Sequence, residues 1–171
     1  MPTVGFGERW FQGVVLQWMN ELIQKNEMPL DGVEQEIKIS TPFGIRRYPD
    51  LVIWRQRLKR SIACLIELKT PFIDAYDEVL IEDALKKANE LGCWFFATWN
   101  INKLVLWETF RHDTPLIDRR LKHWDVTDVK NVEDIKRSNV EKKLSGFIRI
   151  SRNIKHILPC QIYKTRNLCH S

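Results

Sequence analysis

Two acidic residues and one lysine have the types and spacing that hydrolysis of a charged substrate requires. Asp50 follows Pro49 and precedes four apolar residues, so a carboxylate stands where a strand enters a core. Burial of an unpartnered carboxylate is costly, and we therefore expect a partner for it. After sixteen intervening residues, the chain continues as Glu67, Leu68 and Lys69. Because side chains alternate along a strand, we expect Glu67 and Lys69 to share one face.

These three charged groups would meet if the strands that contain them pair. A hairpin connection over residues 55–60 would place Asp50 beside Glu67. Two adjacent carboxylates repel each other unless a cation lies between them, and oxygen ligands with room for water suit Mg²⁺ or Mn²⁺. Such a metal polarises a phosphate and lowers the pKa of a bound water. Lys69 could then position that water or offset transition-state charge, and the backbone carbonyl of Leu68 is a candidate further ligand.

The elements that must position these residues follow from hydrophobic periodicity. Apolar residues at spacings of three and four predict helices, whereas alternating or fully apolar runs predict strands. The predicted order is a helix over 7–24, strands over 33–40, 45–54 and 61–69, a helix over 74–91, and strands over 93–99 and 103–108. The third strand is apolar on both faces, which is typical of a central strand.

The pattern weakens in the last third of the chain. Residues 109–131 have a mixed pattern, and residues 132–157 have apolar residues at roughly helical spacing, which predicts one or two helices interrupted near Gly146. The final residues show no periodicity, as expected either for a chain end or for the front part of a longer protein. The predicted organisation is a core over 1–110, a helical basic extension over 111–157 that packs on it, and an irregular terminus over 158–171.

Composition limits the class of protein. A chain of 171 residues with 44% hydrophobic and 29% charged residues fits one globular domain and excludes a disordered or fibrous chain. It contains no long apolar run, and its N-terminus lacks the pattern of a signal peptide, so we expect a cytoplasmic protein without a membrane partner. Cys64 and Cys93 lie inside apolar runs and are expected to be buried free thiols.

The charge is unevenly distributed along the chain. From Lys130 onward there are ten Lys or Arg residues and three acids, a net charge of +7, whereas the first 129 residues carry a net charge of −2. A basic segment on a nearly neutral body favours a polyanionic partner such as nucleic acid. A solvated helix face rich in lysine explains the charge equally well.

The residues Pro49-Asp50 and Glu67-Leu68-Lys69 resemble the signature of the PD-(D/E)XK nuclease superfamily. The predicted α-β-β-β-α-β order resembles its restriction-endonuclease-like core, and the resemblance covers roughly residues 5–108. It implies an α/β fold with a central mixed sheet flanked by helices. It also implies a DNA endonuclease of restriction or DNA-processing type, in which Asp50 and Glu67 hold Mg²⁺, replaceable by Mn²⁺, and Lys69 assists the attacking water.

The resemblance also suggests roles for two helical positions. Superfamily members often carry an acid on the first helix, and Glu8 matches this auxiliary metal ligand best, although a helix N-terminus favours an acid in any case. Residues 84–108 look similar to nuclease domains of Type I restriction subunits. Those relatives usually carry Gln and Tyr on the helix after the Glu-X-Lys motif, where this chain has Asp83 and Lys87. Lys87 is a candidate phosphate contact, and a solvated helix lysine is the preferred interpretation.

Arginines beside the acidic site are candidates for binding DNA. Arg46 and Arg47 could clamp a backbone phosphate, and alternation along a continuous strand places Arg46 on the face of Asp50. Duplex cutters of this fold often work as dimers, which makes the helices over 132–157 a candidate homodimer interface. Additional helicase or methyltransferase domains or subunits are expected partners if the chain belongs to a larger enzyme.

Two alternatives to a nuclease remain open at this stage. The first is a non-cleaving module on a nuclease fold that binds DNA or a protein. The second is a structural ion-pair network, in which Asp50, Glu67 and Lys69 neutralise one another at a strand end. The structural alternative predicts that a divalent metal does not stabilise the protein.

Overall fold

A computed structural model of the chain describes residues 6–40, 44 and 46–153. Its helices are α1 (Phe6–Lys25), α2 (Glu78–Glu90) and α3 (Arg137–Asn153). Its strands are β1 (Gly32–Gln35), β2 (Ile39–Ser40), β3 (Arg46–Arg47), β4 (Leu51–Gln56), β5 (Ser61–Leu68), β6 (Phe95–Trp99), β7 (Lys103–Glu108) and β8 (Arg120–Asp125). Short 3-10 helices cover Leu116–Arg119 and Val132–Asp134.

A six-stranded mixed sheet forms the centre of the fold. Its strand order is β1-β4-β5-β6-β7-β8, and β2 and β3 form a separate two-stranded sheet. Only the β5 and β6 pair within the large sheet is parallel, as expected for two strands joined by the crossover helix α2. The predicted α/β class, with a central mixed sheet flanked by helices, is confirmed.

Helices cover both faces of the sheet. The larger core cluster joins α1 and α3 to one face of the strands, through residues such as Phe11, Leu68 and Phe147. The second cluster joins α2 to the other face, where Leu65 and Phe96 are buried. Because β5 is buried on both faces from residue 63 to residue 68, its prediction as a central strand is confirmed.

Two predicted strands are each divided in the structure. The run over 33–40 breaks at Glu36, whose φ of 46° turns the backbone away from the ladder. The run over 45–54 breaks at residues 48–50, where Pro49 has no N–H for the ladder. The chain between the breaks forms β2 and β3, so the prediction of two continuous strands is wrong.

The prediction of a helical extension over residues 111–157 is wrong in part, because this segment also contains a strand. β8 pairs with β7 and extends the large sheet past residue 110. Trp124 is its one buried residue, and an exposed edge strand of this kind lacks the alternating pattern by which strands are recognised. α3 confirms a helix in this part, but it runs through Gly146 without the predicted interruption. Residues 154–171, including the predicted irregular terminus, lie outside the described residues, and the domain division stays a prediction.

The expectation about the two cysteines within apolar runs is confirmed. Cys64 and Cys93 are free, buried thiols. None of the described helices combines the length and apolar character needed to cross a bilayer.

The side chain of Asn20 joins α1 to the edge strand β1. Its Oδ1 accepts a hydrogen bond from the Val33 amide at 2.9 Å, and its Nδ2 donates to the Val33 carbonyl at 3.1 Å. The same Nδ2 lies 3.1 Å from the carbonyl oxygen of Leu16. One amide side chain therefore satisfies both backbone groups of an edge residue in the strand beside β4.

We expect Asn20→Ala to lower the free energy of unfolding by about 1–3 kcal/mol, because both backbone groups of Val33 lose their partner. Urea unfolding followed by circular dichroism measures the change. Gln17→Ala is the control on the same helix, since Gln17 is exposed and bonds only Glu21 among the described contacts. An Asn20→Ala effect no larger than that of Gln17→Ala would show that this contact does not stabilise the fold.

Candidate active site

Asp50 lies directly before β4, beside the end of β5. The register pairs Leu51 with Ile66, which brings Asp50 next to Glu67 as predicted. The Leu68 amide donates a hydrogen bond to Asp50 Oδ2 at 2.7 Å. Two further donors, the Glu36 amide at 3.1 Å and the Gln12 Nε2 at 2.7 Å, bond the Asp50 carbonyl oxygen.

Glu67 is the second-to-last residue of β5, and its carboxylate is buried, with only 4% of the side chain exposed. Lys87 of α2 donates to its Oε2 at 2.7 Å. Its other oxygen, Oε1, is buried and has no hydrogen-bond partner among the described residues. A buried carboxylate oxygen without a partner is rare and marks a place where another donor or a cation fits.

The two carboxylates disfavour each other's charge. Burial, and then the nearby charge of Asp50, raise the pKa of Glu67 to about 7, although Lys87 opposes the shift. Burial also raises the pKa of Asp50, against the opposing effects of the Leu68 amide and of the Lys69 and Lys87 ammonium groups. Burial thus disfavours the charged form of both groups, and the neighbouring lysines offset this only in part.

The side chains of Lys69 and Glu67 contact different helices. Its ammonium lies 3.5 Å from Glu8 Oε1 on α1, whereas Glu67 contacts Lys87 on α2. Because α1 and α2 cover opposite faces of the sheet, Glu67 and Lys69 have partners on different faces. Their predicted shared face stays a prediction. Lys69 is the first residue after β5, where the alternation of the strand no longer fixes the side chain.

The donor set fits a hard divalent cation with few protein ligands. Across the described ranges, no group of three or more His, Cys, Asp or Glu side chains is arranged to hold a metal. Mg²⁺ is commonly bound through one or two carboxylates and keeps several waters, which matches the adjacent Asp50 and Glu67 with the unpartnered Oε1 of Glu67. Glu8 contacts Lys69 here, so its role as an auxiliary ligand stays a prediction, as does that of the Leu68 carbonyl.

Lys87 is part of the acidic site and is not a solvated helix lysine, which was the preferred interpretation of its sequence position. Its side chain is 17% exposed and also lies 2.9 Å from Asp83 Oδ2, one turn earlier on α2. The contact with Glu67 depends on how α2 packs across β5, which periodicity does not reveal. A role of Lys87 in binding phosphate stays a prediction.

Arg46 and Arg47, which precede Asp50 in the chain, have different environments. Arg47 on β3 forms an ion pair with Glu90 at the end of α2, including a 2.6 Å bond from Nη2 to Oε1. Arg46 is exposed. Its predicted position on the face of Asp50 depended on a continuous strand over 45–54, and the break before β4 removes that argument. Binding of a phosphate by either arginine stays a prediction.

Sequence reasoning did not identify the polar residues that hold the backbone of the site and of the neighbouring loop. Gln12 is a buried polar residue within the apolar stripe of α1, and this misplaced polarity was the available signal. Thr98 and Asn100 bond the carbonyls of Ala75 and Ile73 at 2.7 and 2.8 Å, and so hold the loop between β5 and α2. These contacts are long-range, and one sequence alone does not predict them.

Comparisons with known proteins give a fold but no family. No protein-family model matches the chain, and no curated protein matches it at a significant level. The crystal structure of the type IIG restriction endonuclease BpuSI matches with a TM-score of 0.69 and 14% sequence identity, covering 90% of this chain and 18% of that chain. A cryo-electron microscopy structure of a DrdV–DNA complex has a TM-score of 0.43 and 14% identity, covering 91% of this chain and 12% of that chain.

The likeness to BpuSI shows that the fold is restriction-endonuclease-like, as the sequence motif predicted. The chain spans less than a fifth of the BpuSI chain.

The raised pKa of Glu67 predicts how stability depends on pH. Because the folded-state pKa of about 7 lies above the ordinary value of 4.5, the folded protein binds more protons than the unfolded chain between these values, and its stability falls as pH rises through them. We expect Glu67→Gln to remove this loss. In EDTA at pH 8 it should be more stable than the native chain by on the order of 1–3 kcal/mol, while Lys87 keeps Asp83 as a partner.

Urea unfolding at pH 4.5 and pH 8 measures this difference, which should nearly vanish at the lower pH. Glu82→Gln removes an exposed carboxylate from α2 and is the matched control. A Glu67→Gln chain that is less stable than the native chain at pH 8 would mean that the ion pair with Lys87 outweighs the burial of the charge.

Proposed function

We propose that the chain is a metal-dependent DNA endonuclease domain of restriction or DNA-processing type, which hydrolyses phosphodiester bonds. The main support is the position of the half-buried Asp50 beside the buried Glu67 at the junction of β4 and β5. One Glu67 oxygen has no hydrogen-bond partner among the described residues. The restriction-endonuclease-like fold supports the same conclusion, since BpuSI is described as a type IIG restriction endonuclease.

Asp50 and Glu67 would hold Mg²⁺ or Mn²⁺, and the carbonyl of Leu68 is a candidate third protein ligand. When bound, the metal would polarise a phosphate oxygen and lower the pKa of a coordinated water. Glu8 is a candidate auxiliary ligand, and it would have to release Lys69 in order to act as one.

The remaining groups of the site would orient and balance charge. The Leu68 amide fixes the Asp50 carboxylate, and Gln12 fixes the Asp50 backbone. The ammonium of Lys69 would position the attacking water and offset the negative charge that develops on the phosphate. Glu8 contacts this ammonium from α1, and the charge of Lys69 is close enough to Asp50 to oppose the rise of its pKa.

A basic face on α3 supports a nucleic-acid substrate. Lys142, Lys143 and Arg149 are exposed, and the one acid of this helix, Glu141, lies within ion-pair distance of Lys25 and the arginine at position 137. Exposed lysines and arginines on one helix favour contacts with phosphates and a salt-sensitive affinity for nucleic acid. Arg46, which is exposed, is a candidate further contact for a DNA phosphate.

The larger assembly stays a prediction. Homodimerisation through the helices over 132–157, and helicase or methyltransferase domains or subunits, are consistent with the proposal but not required by it. The resemblance to Type I restriction subunits also stays a prediction, because α2 has Asp83 and Lys87 in place of the Gln and Tyr expected there.

Cleavage of supercoiled plasmid at low salt tests the proposal. We expect nicking in Mg²⁺ or Mn²⁺ and none in EDTA. Asp50→Asn should abolish nicking because the metal loses a charged ligand. Lys69→Met should reduce the rate about 100-fold or more, as for loss of one preorganised charge-stabilising group.

Two surface variants serve as controls for this experiment. Lys59→Met alters an exposed residue in the β4–β5 turn, at the opposite end of these strands, and Asp128→Asn alters an exposed loop residue. Both should cut at the native rate. A folded native chain that retards DNA in a gel but never cuts in either metal would favour a non-cleaving DNA-binding module, and full activity of Asp50→Asn would refute the proposed site.

A further inference from the structure

The ammonium of Lys87 lies between two carboxylates that differ greatly in exposure. It is 2.7 Å from Oε2 of Glu67, whose side chain is 4% exposed, and 2.9 Å from Oδ2 of Asp83, whose side chain is 56% exposed. Lys87 therefore connects the buried carboxylate of Glu67 to a solvent-exposed acid on its own helix.

The position of Lys87 resembles that of a counter-cation. Two adjacent buried carboxylates repel each other in the absence of positive charge, and Lys87 supplies such a charge in direct contact with Glu67. Lys69, the other cation near Asp50, contacts Glu8 on the opposite side of the sheet. A divalent cation that binds Glu67 would thus meet an ammonium already bound to the same carboxylate.

The helix can remain in place while this ammonium moves. Asp83 and Lys87 are one turn apart, the spacing at which side chains on a helix face contact each other. α2 is held against the sheet by its buried residues Ile81, Ala84 and Ala88, and at its end by the ion pair of Arg47 and Glu90. Release of Glu67 therefore requires only a change in the side chain of Lys87, with Asp83 as its remaining partner.

We propose that Lys87 is a built-in competitor of the divalent cation, whose ammonium bridges Glu67 and Asp83 in the metal-free protein and keeps only Asp83 as its partner when the metal binds. The balance between Glu67 and Asp83 as partners of Lys87 then sets the metal affinity. This inference rests on the proposed function, because it takes Asp50 and Glu67 as the metal ligands. Lys87 is a positioning residue in this account, since it acts through Glu67.

The proposal predicts opposite effects of two substitutions on the same helix. Lys87→Met removes a cation next to a metal ligand, and we expect the Kd for Mn²⁺ to fall about tenfold. Asp83→Asn removes the alternative partner of Lys87, so the ammonium stays with Glu67 and the Kd should rise about threefold to tenfold. Loss of either charge would also shift the Kd by simple Coulombic effects, so the double variant separates the explanations. In a Lys87→Met background, Asp83→Asn should leave the Kd nearly unchanged, because its effect acts through the ammonium.

Binding of Mn²⁺ to the full chain, measured by electron paramagnetic resonance of the free ion at pH 8 and low salt, tests both shifts. Lys86→Met, which alters the exposed neighbouring lysine, is the matched control and should leave the Kd unchanged. Circular dichroism verifies that each variant is folded. Asp83→Asn changes an exposed side chain, so it provides a test even if Lys87→Met does not fold.

The outcomes separate this inference from the proposed function. If the native chain binds Mn²⁺ and Asp50→Asn does not, the metal site is supported. An unchanged or weaker affinity of Lys87→Met, or an unchanged or tighter affinity of Asp83→Asn, would then overturn the role of Lys87 alone. A native chain that binds no Mn²⁺ would overturn the metal site and this inference together.

Discussion

The hydrogen bond from the Leu68 amide to the Asp50 carboxylate fixes the geometry on which the candidate site depends. It joins the residue before β4 to the last residue of β5, at 2.7 Å, and so brings Asp50 beside the buried Glu67. Burial of two like charges at one strand end is unfavourable. Lys87 from α2 and Lys69, directly after β5, offset part of this cost. The Oε1 of Glu67, which has no hydrogen-bond partner among the described residues, indicates that the offset is incomplete.

The two faces of the sheet contribute different support to this pair. α1 provides Gln12 for the backbone of Asp50 and Glu8 for the ammonium of Lys69, whereas α2 provides Lys87 for Glu67. The parallel pairing of β5 and β6 requires a crossover, and α2 is that crossover helix. The position of Lys87 next to the acids is thus a consequence of the topology.

The sequence predicted the features of the fold that depend on local pattern. The runs of β5, β6 and β7 and the helices α1 and α2 had clear periodicity, and the pairing of β4 with β5 followed from the short turn between them. β8 was not predicted because an exposed edge strand lacks the alternation of apolar and polar residues. The breaks at Glu36 and Pro49 were not predicted because they interrupt runs whose pattern is otherwise that of a strand. The contacts of Lys69 and Lys87 depend on how helices pack across the sheet, and one sequence contains no direct signal for this packing.

The central claim is that Asp50 and Glu67 together form a site for a divalent cation, and anomalous diffraction from crystals soaked in Mn²⁺ tests it most directly. The account predicts a single strong anomalous peak within about 2.0–2.3 Å of a carboxylate oxygen of each residue, close to the Mg²⁺ distances in proteins. It also predicts that Oε1 of Glu67 is one of these oxygens. No peak at this position in a crystal that binds Mn²⁺ elsewhere, with both carboxylates accessible and unchanged, would contradict it.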